Sequence, residues 1–100
     1  MIFPTIHNNG SDPEKLIEQY SAAATACREA LDLLEACSPH SRDYYIQSTE
    51  AMVTASAEHM ARIQKLIAIK AELSMLAENV QKQVDAREEQ RKLHRASRTS

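Results

Sequence analysis

Apolar residues recur every three or four positions along most of this chain, and they do so in two blocks. The first places Leu16, Ile17, Tyr20, Ala23, Ala24, Cys27, Ala30, Leu31 and Leu34 on one helical face. The second runs through His59, Ile63, Leu66, Lys70, Leu73, Ala77, Val80 and Val84 in steps of four and three, with Met52, Met60, Ile67, Ile69 and Leu76 beside it. No Gly or Pro interrupts 49–84, and its Ala, Met, Leu, Glu, Gln and Lys lose little entropy in a helix. The pattern predicts helices over about 12–37 and about 49–86.

The punctuation agrees. In Ser11-Asp12-Pro13-Glu14, Ser11 is placed to cap, Glu14 to close a capping box, and Pro13 to occupy the first turn. Ser38-Pro39 stops the first helix because proline cannot continue the hydrogen-bond ladder. Ser48 or Thr49 is placed to cap the second. The link 38–48 is short, so the expected fold is all-α: an antiparallel helical hairpin with a long second helix. Residues 1–10, with Pro4 and the turn signal Asn8-Asn9-Gly10, read as an extended arm that packs back or reaches a neighbour. Residues 11–86 are the hairpin and 87–100 a charged, fraying extension.

The helices are unequal, and this carries an expectation about assembly. A first helix of about 26 residues covers a similar length of the second, roughly 50–75. Leu73, Leu76, Val80 and Val84 are then expected to meet other copies in a homo-oligomeric helical bundle, a dimer or larger. A two-helix hairpin of this size also lacks the core to stand alone.

Composition changes the picture little. One hundred residues make one domain at most, and with 4% aromatic residues its core is aliphatic and thin. No run approaches the roughly 18 apolar residues of a membrane span. The beginning, Met1 to Thr5, lacks a leader's basic and apolar regions, so the expected setting is cytoplasmic and away from membranes. Cys27 and Cys37, on one predicted helix, would lie about 15 Å apart. That separation rules out an internal disulfide, and buried reduced thiols are expected. The net charge is −2, yet from Arg91 to Ser100 there are four cations and no acid. Nucleic-acid binding through Arg87, Arg91, Lys92, Arg95 and Arg98 is the weaker reading, because Asp85, Glu88 and Glu89 dilute the patch and cations suit a helix C-terminus anyway.

Candidate chemistry is sparse. His7, His40, His59 and His94 fall on an arm, a link, a helix and a tail without any metal-ligand spacing, so no metal is expected. A single glycine excludes a glycine-rich phosphate loop, and the cysteines lack an activating partner beyond Arg28. Neither an enzyme nor a cofactor is expected. The functional-looking cluster is the link, where His40, Arg42, Asp43, Tyr44 and Tyr45 combine residue types favoured at binding hot spots. His7 and Asn8 in the arm join it as candidate contacts. The plainer reading is that the tyrosines close the end of an aromatic-poor core.

Two stretches, Pro4-Thr5-Ile6-His7-Asn8-Asn9-Gly10-Ser11 and Asp43-Tyr44-Tyr45-Ile46-Gln47, resemble the start and the inter-helix segment of small helical proteins encoded by tailed bacteriophages. Ala57-Glu58-His59 matches a turn in their final helix, whereas Ser48 stands where they place a glycine. The resemblance implies a phage origin, hence a host cytoplasm. The expected function is then a non-enzymatic binding protein that sequesters or blocks a host component, host-defence antagonism included. The alternatives are an oligomeric sponge for a small anionic nucleotide held at subunit interfaces, and a virion-assembly accessory.

Overall fold

The computed structural model describes residues 1–99, with side chains through Arg98. It is all-helical, a two-helix hairpin: α1 spans Pro13–Ala36, a 3₁₀ turn spans Ser41–Asp43, and α2 spans Thr49–Thr99.

Each helix end has an identifiable cause. The α1 cap is Asp12 and not the expected Ser11: Asp12 Oδ1 accepts the Glu14 N–H at 3.0 Å, and its carbonyl accepts the Leu16 N–H at 3.1 Å. Pro13 at the first helical position has no N–H, so the first donor needing a partner is that of Glu14, and a carboxylate also suits the positive helix pole. At the far end the Ser38 hydroxyl donates to the Glu35 carbonyl at 2.9 Å. Ser48 Oγ caps α2 by accepting from the Ala51 N–H at 3.0 Å. The helix α2 continues to Thr99, well past the expected end near 86. The stretch read as a fraying extension contains no Gly or Pro and is mostly Arg, Glu, Gln, Lys and Ala, all strong helix formers. Ser100, the last residue of that expected extension, lies outside the described residues.

The chain divides into two units. One is Ala24–Ala71, the hairpin around the link. In it Cys27, Ala30, Leu31 and Leu34 of α1 and Met52, Ala55, Ile63, Leu66 and Lys70 of α2 are half-buried, while Ala24 and His59 are buried. The helices run antiparallel here, since Leu34 meets His59 while Arg28 and Leu31 line a groove with Ile63, Ile67 and Lys70.

The other unit joins Met1–Ala23 to the part of α2 from Glu72 onward. Leu16, Ile17, Tyr20 and Ala23 are half-buried, as are Leu73, Leu76, Ala77 and Val84, and Val80 is fully buried. The arm is tied to α2 by one side chain. Gln83 Oε1 accepts the Ile6 N–H at 2.9 Å, and Gln83 Nε2 donates to the Pro4 carbonyl at 2.7 Å and to Asn79 Oδ1 at 2.8 Å. An extended segment thus receives from one amide the donor and acceptor that a neighbouring strand would otherwise provide.

The residues of this unit include the four expected from the sequence to meet other copies. Val80 has no surface to offer a second copy, and Leu73, Leu76 and Val84 are already half-covered within their own chain. The expectation treated only α1 as cover for α2, whereas the arm also lies on it.

Candidate binding surfaces

The link from α1 to α2 is held by its own backbone. The Asp43 N–H donates to the His40 carbonyl and the Tyr44 N–H to the Ser41 carbonyl, both at 3.0 Å. The Tyr45 N–H donates to the Ser41 carbonyl at 2.9 Å and the Gln47 N–H to the Tyr44 carbonyl at 3.0 Å. His40 Nδ1 accepts the Arg42 N–H at 3.1 Å, which starts the turn and assigns the ring proton to Nε2. On this frame Arg42 and Asp43 are exposed, Tyr44 is half-buried, and Tyr45 and Ile46 are 71% and 81% exposed. The two tyrosines therefore part company: Tyr44 is half-buried, and Tyr45 stands in solvent with Ile46, which sequence reasoning passed over.

His7 and Asn8 belong to the other unit. Both are exposed in a turn closed by the Gly10 N–H donating to the His7 carbonyl at 3.0 Å. His7 Nδ1 accepts the Asn9 N–H at 3.3 Å. No residue of this turn has a positive φ, nor does any other described residue. A Cβ at residue 10 would come 2.9 Å from His7 Nε2, so the exposed His7 ring would have to swing aside to admit one.

His59 has a structural task. Its Nε2 lies 2.9 Å from the Leu34 carbonyl and 3.4 Å from Ser38 Oγ. The Ser38 hydroxyl gives its proton to Glu35, so both neighbours present lone pairs and Nε2 carries the hydrogen. The ring thereby supplies a further donor to a carbonyl in the last turn of α1 that the Cys37 N–H also reaches at 3.2 Å. Among the described residues no three His, Cys, Asp or Glu side chains converge as a metal site requires.

The cysteines are both free. Cys27 is half-buried as its face predicts, but Cys37 lies one residue beyond α1 and is exposed, against the expectation of a buried thiol. Its Sγ lies 3.3 Å from the Leu34 carbonyl.

Helical continuity through Thr99 alters the charged end. At about 100° per residue, Arg87, Arg91, His94, Arg95 and Arg98 share one sector, and Asp85, Glu88 and Glu89 fall outside it. Of the acids Glu88 borders that face, about 20° from Arg95, and Lys92 of the expected basic set falls outside it.

No described helix is long and apolar enough to cross a membrane. Comparison of the chain with protein-family models, with curated protein sequences and with solved structures finds no match in any of the three.

Proposed function

We propose that the chain is a non-enzymatic binding protein that sequesters or blocks a host component in the host cytoplasm, with the inter-helix link as its contact. The observation that carries this reading is the exposure of Arg42, Tyr45 and Ile46 on a turn whose backbone is already hydrogen-bonded. A large exposed ring and an aliphatic side chain beside a guanidinium form the composition of a hot spot. Because the turn is ordered beforehand, binding costs little additional backbone entropy. The resemblance to phage-encoded helical proteins supports a host component as the target.

A second reading, a sponge for a small anionic nucleotide, is favoured by one specific pairing. Tyr45 offers a face on which a base stacks, and Arg42, exposed three residues earlier, offers a bidentate partner for phosphate.

Native mass spectrometry of the protein purified from its natural host cells separates the two. A bound mass in the range of a nucleotide supports the sponge, and one of protein size supports the blocking of a host protein. In either case Arg42→Ala with Tyr45→Ala is expected to lose the added mass while circular dichroism stays unchanged. Retention of the mass by that variant would discard the link as the site.

A further inference from the structure

The helix α2 has a second apolar face, and within Ala24–Ala71 it is bare. Taking about 100° per residue, Val53, Ala57, Met60, Gln64, Ile67 and Ala71 follow one another in alternating steps of four and three, offset from the row that faces α1. Ala61 and Ala68 widen this stripe to a sector of about 120°. All eight residues are exposed, Val53 at 66%, Met60 at 54% and Ile67 at 50%. The charged residues between 53 and 71 are Glu58, Arg62, Lys65 and Lys70, and none of them falls in the sector. A helix apolar on its outer face as well as its inner one is the pattern of a helix meant to be covered on both.

We infer that this face is the contact for a second copy of the same chain, α2 against α2. The alternating spacing over about 27 Å fits the packing of a second helix along it, as the matching row on the inner face packs on α1. The chain's own α2 is such a helix. Four alanines on the stripe let two backbones approach closely. Gln64, the one polar residue in the stripe, lies near its middle, and an amide that both donates and accepts is satisfied by its own copy across a two-fold axis. Stability argues for the same occupant. Only Ala24, His59 and Val80 are buried among the described residues, a core too small to hold a chain of this length. The cover that completes such a core must be present whenever the protein folds, and a second copy always is. Alongside the stripe, Ile67 and Ala71 open onto a groove of about 410 Å³ with Leu31 and Ile63 and the charged Arg28, Asp32, Glu35 and Lys70, which gives a partner's side chains both apolar and ionic contacts. The inference places the homo-oligomer contact here and away from Leu73, Leu76, Val80 and Val84. It is independent of what the inter-helix link binds.

The test uses the full chain in light scattering at micromolar concentration, with circular dichroism on the same samples. The wild type is expected at a multiple of 11.2 kDa, and Met60→Glu with Ile67→Glu is expected to fall to the single-chain mass. Because that variant can also unfold, a second one decides the matter. Gln64→Cys in a Cys27→Ala, Cys37→Ser background is expected to cross-link copy to copy on mild oxidation, whereas Arg62→Cys, outside the stripe, is not. A single-chain mass for the folded wild type would overturn the inference. So would an assembly in which Gln64→Cys fails to cross-link, or one that keeps its mass in the double glutamate variant.

Discussion

Each unit depends on one polar side chain of α2 that reaches main-chain groups elsewhere, and the two do it in opposite settings. In Ala24–Ala71, His59 is buried along with the small Ala24 and holds the end of a helix, while apolar Val53, Met60 and Ile67 remain outside. In the unit containing the arm, the buried group is Val80, and the holding residue, Gln83, sits half-buried one turn further along. At the helix terminus a single donor is enough to add to the Cys37 N–H already on the Leu34 carbonyl, and an imidazole supplies it. An extended segment needs a donor and an acceptor at adjacent points, which only an amide supplies from a single side chain. The difference teaches where the missing stabilisation lies: the arm unit fully encloses the branched side chain of Val80, whereas the hairpin unit encloses only the methyl group of Ala24.

The comparison breaks most severely at Val80. Val80→Asp places a charge at a fully buried position. The expected loss is on the order of 4 kcal/mol or more, since an unpaired buried charge is among the costliest single changes. Proteolysis should then cut the arm and the far part of α2 rapidly. Helical signal from the hairpin unit surviving that loss would show the two units to be separable, whereas complete unfolding would show them to be one cooperative body.

Much of this arrangement is legible in the sequence. All nine positions assigned to the inner face of α1, from Leu16 to Leu34, are half-buried or buried, and so is every member of the α2 row from His59 to Val84. Helical periodicity is a strong signal because burial and the 3.6-residue repeat constrain each other over many turns. What escaped notice rests on single polar atoms or on absent atoms. Gln83 reads as a surface residue unless one asks why a polar side chain sits between Val80 and Val84. Asp12 in place of Ser11 turns on which N–H comes first after a proline. The bare stripe of Val53, Met60 and Ile67 was visible in part, since Met60 and Ile67 were seen to widen the apolar side, but only the structure shows that α1 does not cover them. The binding role of the link was suggested by residue type alone. The structure adds that Tyr44 and Tyr45 are not equivalent.

A smaller effect is expected at His59. His59→Phe keeps a ring of similar bulk but removes the donor to the Leu34 carbonyl. That carbonyl still accepts the Cys37 N–H at 3.2 Å. The loss should therefore be about 1 to 2 kcal/mol, less than for a carbonyl left wholly unpaired. Denaturant unfolding measures it. A variant as stable as the wild type would mean that burial of the ring, and not its hydrogen bond, is what the hairpin uses.

The smallest effect is expected at Gln83, and it is the one that separates donor from acceptor. Gln83→Ala removes all three bonds, yet the Pro4 carbonyl and Ile6 N–H regain water once the arm lifts, so the cost should be about 1 kcal/mol. Hydrogen exchange at the Ile6 amide reads the release directly, as faster exchange there than in the hairpin unit. Gln83→Glu is the sharper probe. Its carboxylate still accepts from Ile6 but turns lone pairs toward the Pro4 carbonyl and Asn79 Oδ1, where the amide had placed hydrogens. At neutral pH the arm should be freed at least as far as in the alanine variant. Once the carboxyl is protonated, below its ordinary value of about 4.3 or somewhat above it, it donates to Pro4 and the arm should return. Ile6 exchange, corrected for its intrinsic pH dependence, would then slow on acidification in Gln83→Glu and in neither the wild type nor Gln83→Ala. Equal behaviour of the two variants at every pH would mean that the Ile6 acceptor bond contributes nothing and that apolar contact alone keeps the arm in place.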